Sequence, residues 1–572
     1  MGTTAPAQQM SIVHGIPLRD EPGMGALTIP AYLREVTSRF AEREALVMHT
    51  PGGVERWSYA TLWKKSVEVA KALIACGVGK DSRVGILMTN RPEYLAAVFG
   101  TGLAGGVSVA LSTFSTASEL EHLVGVSGVS VLLFEGRVLK KDFGGVLADI
   151  EPQIRTAAPG QLQSSKFPFL CHLVRLDSAT WTSAEADTQT TSFESWNEFL
   201  AKGRDIPDAI IDARAAAVTP SDAGGLFFSS GTTSLPKGIL HTQRAFAIQW
   251  WRWPRVMSVE GAVRSWTGNG FFWSGNITMV VGVALSTGGA VVLQPYFEPE
   301  MALKLMETER VTFLSGRPHQ WARLQESPRW SQSDLSSLRY VTNSALIQEH
   351  PTVKQTDWKL PMSFGTTETM TINTSYSANT SVEQYAGSCG VPLPGNILKI
   401  IDPESGTVVP RGQRGEVCIK GPTLMMGYIG KTPEETFDEE GYYRTGDGGY
   451  VDEVGRLYWE GRLTEIIKTG GANVSPLEID AILSNYPGVR RAQTVGVPHD
   501  TLGEMVVSCI VPQDDAVLEE TAIRNFLKEQ LASFKVPRRV LILREDEVAV
   551  TGNGKVKSTE LRQLATQRLT VG

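Results

Sequence analysis

Between Trp57 and Phe134 the hydrophobic pattern switches repeatedly between two periods, and no other feature restricts the fold as strongly. Leu62, Trp63, Val67, Ala70, Leu73 and Ile74 recur at helical spacing, and the run from Arg83 to Met88 that follows reads as a buried strand. A second cycle predicts a strand at Val107 to Leu111, a short helix at Ser118 to Val124 and a strand at Val129 to Phe134. Strands that alternate with helices imply an α/β fold, with parallel or mixed sheets covered by helices. At 572 residues the chain exceeds what one hydrophobic core can hold, so two or more domains are expected. Residues 151–208 are polar, Ser/Thr-rich and poorly periodic, and read as an excursion over the surface.

The clearest boundary falls at Arg462. Asp452 to Arg456 reads as a turn between strands at Tyr450-Val451 and Leu457 to Trp459, and a new pattern starts beyond it. Ser475-Pro476-Leu477-Glu478 is a helix start, with Ser at the N-cap, Pro at N1 and Glu at N3 to close a capping box. Strands at Gln493 to Val497, Met505 to Val511 and Arg539 to Leu543, with a helix from Leu518 to Leu531, complete an α+β unit of about 110 residues. The expected division is a large N-terminal domain, 1–461, and a small mobile C-terminal domain, 462–572.

Bulk properties exclude several function classes. A net charge of −7, with 20% charged and 42% hydrophobic residues, provides no basic field for nucleic acid or anionic lipid. Any polyanion must therefore be met by local groups. The five cysteines are scattered without a Cys-x-x-Cys, against zinc and against a disulfide framework, and a reducing cytoplasm fits them. The first residues lack the charged start and apolar run of a signal peptide and read as a mobile tail, and no stretch reaches the ~18 apolar residues of a membrane span. None of the eight histidines stands in a recognisable triad with Ser or Cys, and His241 reads as structural.

Ser229-Ser230-Gly231-Thr232-Thr233-Ser234-Leu235-Pro236-Lys237-Gly238 concentrates the groups that hold a polyphosphate. Glycines let the backbone approach anionic oxygens, hydroxyls donate to them, and a lysine adds charge. A Walker loop is excluded, because it needs Gly-Lys-Ser/Thr opening a helix and Lys237 sits between Pro236 and Gly238. The stretch also fits a plain Gly/Ser turn between a strand at Gly225 to Phe228 and a helix from Thr242.

Further segments follow in order: Ser363 to Thr369, Tyr443 to Asp447, Gly461 to Lys468 with Glu478 beyond, and Gly552-Asn553-Gly554-Lys555. Singly, each fits a blander reading: a solvated loop for Thr366-Thr367-Glu368, a β-turn for Asp447, a flexible turn for Lys468 to Asn473, a surface lysine for Lys555. Together, and in this order, they resemble the adenylate-forming superfamily of acyl-CoA synthetases, peptide-synthetase adenylation domains and luciferases, on the acyl-CoA ligase branch.

That resemblance implies a function for each segment. Ser229, Ser230, Gly231, Thr232, Thr233 and Lys237 would grip the β- and γ-phosphates of ATP. Thr367 would bond the α-phosphate and Glu368 would coordinate Mg²⁺, a hard cation suited to a carboxylate plus phosphate oxygens. Asn343, Ser344 and Ala345, with Phe364, Gly365 and Thr366, would line the adenine, Phe364 standing where a tyrosine is more usual. Asp447 would chelate the ribose hydroxyls, a task a two-oxygen acceptor suits, with Arg462 reaching the same ribose or the phosphate. Lys555 would bridge substrate carboxylate and α-phosphate. Lys468, Gly470 and Gly471 would line the pantetheine tunnel of coenzyme A after rotation of the C-terminal domain about Thr464, where the family usually has Asp or Lys. The implied reaction is carboxylate plus ATP to acyl-AMP, then thioester and AMP.

The acyl pocket is expected at Trp266 to Asn276 with Arg317 to Trp321. Phe271, Phe272, Trp273 and Gly275 occupy a segment that in the family carries an Asp in adenylation domains and a His in many ligases; here it has no acid, so an α-amino acid is not the expected substrate and a bulky apolar acid is. The sequence runs 17 residues beyond Lys555, so free CoA rather than a carrier domain is the expected thiol. Ser234 replaces a glycine usual in the family's loop, which leaves open an enzyme that thioesterifies an acyl-adenylate made by a partner. A luciferase-like oxygenase, a non-catalytic AMP-binding protein and a homodimer also stay open.

Overall fold

The computed structural model describes residues 9–176, 192–229, 236–341, 345–354, 358–385, 387–463, 465–469, 472–500, 502–514, 516–531, 535–550 and 556–571. Two compact units emerge: Met1–Val13, Leu398–Ile419 and Arg444–Gly572 form one, His14–Ile397 and Lys420–Tyr443 the other. The fold is mixed α/β.

In the larger unit an eight-stranded sheet runs Phe193–Ser195, His172–Leu176, Val131–Glu135, Arg83–Leu87, Val107–Ala110, Ala223–Ser229, Lys237–Thr242, Gly427–Tyr428. Neighbours are parallel as far as Ala223–Ser229 and antiparallel after it. The predicted helices form as Tyr59–Ala75 and Ala117–Ser127, the latter started by a reciprocal Thr116/Glu119 capping box. Trp250, Phe99, Tyr32 and Phe246 interlock in the core that Tyr59–Ala75 shares with the sheet, while Leu120, Leu123 and Val124 of Ala117–Ser127 pack in a second core with Leu87, Val109 and Phe134. A second sheet orders Phe313–Ser315, Arg264–Thr267, Ala290–Leu293, Glu44–Thr50 and Gly53–Ser58, all parallel except the last pair.

Three expectations need correction. Residues 151–208 are not all surface excursion, because His172–Leu176 joins the large sheet beside Val131–Glu135, burying Leu173, Val174 and Leu176. Lys237 does not sit on a loop that leads straight into a helix; it opens a strand, Lys237–Thr242, that doubles back on Ala223–Ser229 before the helix Gln243–Val256. The run Met362-Ser363-Phe364, expected as a strand end where an α/β sheet places its ligands, instead gives a two-residue strand, Ser363–Phe364, antiparallel to Thr374–Ser375.

In the smaller unit Val489–His499 pairs antiparallel with Gly503–Pro512, which Arg539–Ile542 flanks in parallel. The helix Pro476–Leu483 starts after Ser475 as expected, but the capping box is not made. The Ser475 hydroxyl instead donates to the Glu460 carbonyl at 2.7 Å, and both Glu478 oxygens accept from Lys535 at 2.7 Å. Among the described residues no helix is long and apolar enough to cross a membrane.

Candidate active site

Glu368 sits on a tight, strained turn. Thr367–Thr369 is a single 3₁₀ turn, closed by the Thr366 amide donating to Thr369 Oγ1 at 2.9 Å. Met370 and Thr371 follow at φ 50° and 90°, the left-handed region, which a β-branched threonine enters only when its surroundings force it. Those surroundings are identifiable: the buried Gln249 amide donates to the Ile372 carbonyl at 2.9 Å, and the Met425 amide donates to the Glu368 carbonyl at 2.8 Å. Gly365 allows the turn to close, since a Cβ there would lie 1.5 Å from the Thr371 carbonyl oxygen.

The Glu368 side chain meets a tyrosine that sequence reasoning did not single out. Tyr428 donates its hydroxyl to Glu368 Oε1 at 2.8 Å and lies 2.9 Å from the Tyr443 hydroxyl. Burial, then the charge of Glu368, pushes the Tyr428 phenol well above its ordinary pKa. Lys237 Nζ stands 5.7 Å from the centre of the Tyr428 ring, and Lys237 is itself paired across its hairpin with Ser229. Among the described residues no three metal-ligating side chains converge; a single carboxylate such as Glu368, completed by phosphate oxygens, is a donor set that would suit magnesium.

His241 lies beneath this turn, wholly buried, with no hydrogen-bond partner for either ring nitrogen among the described residues. Burial lowers its pKa to about 4, against a weaker opposing pull from the Thr367 backbone. An unfolded imidazole takes up a proton below its ordinary 6.5 that the buried ring refuses. Its contribution to stability is therefore complete above that value and is lost as the pH falls towards 4. His241→Leu should accordingly lose less thermal stability than the parent between about pH 7.5 and about pH 5. Melting curves across that range check it, and parallel losses in both proteins would refute it.

In the smaller unit Asp447 and Arg462 face each other on the paired strands Tyr443–Val451 and Leu457–Arg462. Arg462 Nε lies 3.2 Å from Asp447 Oδ1, and Arg462 Nη1 donates to the Thr445 carbonyl at 2.6 Å. Asp447 is 2% exposed, held in a strand and not in a β-turn. Lys468 is exposed on the strand Ile467–Thr469, its amide donating to Glu504 Oε2 at 2.8 Å. Ser230, Gly231, Thr232, Thr233, Ser234, Asn343, Ser344, Thr464, Gly470, Gly471 and Lys555 lie outside the described residues, and Ala345 opens the short helix Ala345–Gln348.

The two segments expected to form the acyl pocket do come together. Arg264–Thr267 and Phe313–Ser315 are parallel neighbours, and Gln320 ties their ends by accepting from the Arg317 amide at 2.9 Å and donating to the Gly268 carbonyl at 3.0 Å. Asn90, on the loop after Arg83–Leu87, donates to the Asn269 carbonyl and accepts from the Phe271 amide. Phe271 and Phe272 are buried, Trp273 is half-buried against Phe272, and Arg317 is exposed. A Cβ at Gly275 would meet nothing within 4 Å. Phe114, 66% exposed after the strand Val107–Ala110, sets its ring edge-on to Phe272 at 5.6 Å. An exposed aromatic in Ser112-Thr113-Phe114-Ser115 was the available signal for it, and that signal is weak without the fold.

Residues 33–429 match the AMP-binding enzyme family and residues 478–555 its C-terminal domain. The chain belongs to that family, the adenylate-forming superfamily, on its acyl-CoA ligase branch. It is 30% identical over 544 residues to a methyl-dioxo-octahydroindenyl-propanoyl:CoA ligase of Mycobacterium tuberculosis, covering 94% of this chain and 99% of that one. It is also 30% identical over 541 residues to an indoleacetate–CoA ligase of Aromatoleum aromaticum, covering 93% and 95%. Among solved structures, an anthranilate CoA ligase in complex with anthranoyl-AMP shares the fold at a TM-score of 0.75 and 22% identity, covering 97% of this chain and 100% of that one.

Proposed function

We propose that the protein is an ATP-dependent carboxylic acid–CoA ligase that works through an acyl-AMP intermediate on a bulky, apolar, ring-bearing acid. The observation that carries the reading is the convergence of Lys237 and Glu368 on Tyr428, with Ser229 paired to Lys237 across the strands: the end of the hydroxyl- and glycine-rich stretch and the acidic turn meet at one point of the larger unit. In the first half-reaction a carboxylate oxygen attacks the α-phosphorus and pyrophosphate leaves. Ser229, Ser230, Gly231, Thr232, Thr233 and Lys237 hold the departing phosphates, Thr367 the α-phosphate, and Lys555 the charge shared between carboxylate and phosphate. Magnesium on Glu368 would supply charge neutralisation at the phosphates. Asn343, Ser344, Ala345, Phe364, Gly365 and Thr366 hold adenine, and Asp447 with Arg462 the ribose. In the second half-reaction the CoA sulfur attacks the acyl carbon and AMP leaves, with Lys468, Gly470 and Gly471 lining the thiol's path. Residues 1–461 and 462–572 act as the two bodies that rotate about Thr464 between these steps. Charge placement supplies most of the catalysis.

The ring-bearing acid is supported by Phe114, Phe272 and Trp273, and by relatives named for indoleacetate and an indenyl propanoate. Incubation with ATP, Mg²⁺, CoA and a panel of aryl and alicyclic acids should yield acyl-CoA with one AMP per thioester by mass spectrometry. Failure on every ring acid, with turnover of short linear ones, would sink the substrate class. Phe114→Ala should raise KM for the best ring acid about tenfold, the value of an edge-on ring contact plus lost apolar area, with little change in kcat. An unchanged KM would remove Phe114 from the pocket.

A second reading is favoured by Ser234, where the family's loop has glycine, and by Phe272 and Trp273 in place of a histidine. It is an enzyme that mainly thioesterifies an acyl-adenylate supplied by a partner. Comparable rates from acid plus ATP and from preformed acyl-adenylate plus CoA would eliminate it.

A further inference from the structure

Three segments distant in sequence meet at Tyr428. The strand Gly427–Tyr428 pairs with Lys237–Thr242, matching Tyr428 with Ile239. Flanking amides fasten the same stretch on both sides: Met426 donates to the Leu240 carbonyl at 2.7 Å, Ile429 to Gly238 at 2.8 Å, and Met425 to Glu368 at 2.8 Å. The Tyr428 backbone therefore cannot shift relative to either Lys237 or the acidic turn without breaking sheet and turn hydrogen bonds.

The side chains then have only one consistent arrangement. A carboxylate only accepts, so the Tyr428 proton must lie on its 2.8 Å bond to Glu368 Oε1. The Tyr428 oxygen is left to accept, and the Tyr443 hydroxyl at 2.9 Å must donate to it. Two hydroxyls thus point in series at one carboxylate oxygen, and each polarises the next. The face of the same phenol is the attractive surface for a cation at 5.7 Å, the distance of Lys237 Nζ.

We infer that Tyr428 is a positioning residue that sets Glu368 and Lys237 in register with each other, its hydroxyl orienting the carboxylate that takes the metal and its ring face orienting the ammonium that takes the phosphates. This inference rests on the reading of Glu368 as the metal carboxylate. With Oε1 occupied by the phenol, the carboxylate is presented in a fixed orientation to the cation and no longer samples its rotamers. A group that orients a metal ligand commonly changes metal affinity by tenfold or more when removed.

The test is a Mg²⁺ titration of ATP binding by calorimetry, with AMP binding as the reference that needs no β- or γ-phosphate contact. Tyr428→Phe keeps the ring and loses the hydroxyl. It should raise the Mg²⁺ concentration for half-maximal ATP affinity about tenfold and leave AMP affinity and metal-free ATP affinity at parent values. Tyr428→Leu should in addition weaken metal-free ATP binding, because the surface beneath Lys237 is gone. Glu368→Gln separates the two layers of the argument. If it retains the parent's Mg²⁺ response, the metal assignment of Glu368 fails. If it loses that response while Tyr428→Phe keeps the parent half-saturation, the positioning role of Tyr428 is overturned and the assignment of Glu368 stands. Should Tyr428→Phe not fold, Tyr443→Phe must shift the half-saturation in the same direction, and an unchanged value overturns the inference.

Discussion

Gly365→Ala is expected to lower acyl-adenylate formation about a hundredfold, the usual cost of moving catalytic groups by an ångström. The added Cβ would stand 1.5 Å from the Thr371 carbonyl oxygen, 2.5 Å from its carbon and 2.7 Å from Ile372 Cα. All three are backbone atoms, so no side chain can rotate away. The neighbours are poorly placed to yield, because Met370 and Thr371 already hold left-handed φ angles and the Asn373 amide donates to the Phe364 carbonyl at 2.8 Å. Relief requires Thr366 to Glu368 to move, and with them the groups assigned to the α-phosphate and the metal. Pyrophosphate exchange measures the first half-reaction, and thioester formation from preformed acyl-adenylate measures the second. Gly275→Ala, where the new methyl meets nothing, serves as the control and should keep the parent's melting temperature. An unimpaired exchange rate in Gly365→Ala would show that the turn is more plastic than its contacts imply.

The sequence made legible what local rules determine. The helix Tyr59–Ala75 and the strands around it follow from apolar spacing, and the turn between Tyr450-Val451 and Leu457 to Trp459 follows from its turn residues, but the facing of Asp447 and Arg462 needs a register shift between Gly448 and Gly449 that the sequence does not announce. What it hid has physical causes. The strand His172–Leu176 sits in polar surroundings that mask its Leu-Val-x-Leu run. Lys237 reads as a loop residue because Pro and Gly flank it, yet its hairpin position is fixed by pairing with Ser229 and by the neighbouring strand Gly427–Tyr428. The Ser475/Glu478 box failed because both side chains found partners outside their own helix, Glu460 and Lys535. Tyr428 acquires meaning only from Glu368, sixty positions away. His241 reads as structural from the sequence, and the fold buries its ring with no hydrogen-bond partner for either nitrogen among the described residues.

Asp447→Ala is expected to weaken ATP and AMP alike by ~2–4 kcal/mol, the value of two hydroxyl hydrogen bonds to one carboxylate. The equality follows from the proposed role, since both nucleotides carry the same ribose. The geometry gives the prediction its control. Asp447 is buried and its amide donates to Thr445 Oγ1 at 3.0 Å, so the backbone that presents the carboxylate is tied independently of the side chain. Its ion-pair partner Arg462 is 43% exposed and keeps its bond to the Thr445 carbonyl, so losing Asp447 leaves a charge that water can solvate. No buried charge is left unpaired by the substitution, since the carboxylate itself is removed and Arg462 reaches water, so the variant should stay folded. Binding loss and unfolding are thereby separable in one sample, with calorimetry for AMP and ATP beside a melting curve. Asp447→Asn, which keeps the shape but has one acceptor oxygen in place of two, should fall between parent and alanine variant for both nucleotides. A loss confined to ATP would move Asp447 from the ribose to the phosphates, and an unchanged AMP affinity in a folded alanine variant would remove it from the nucleotide site.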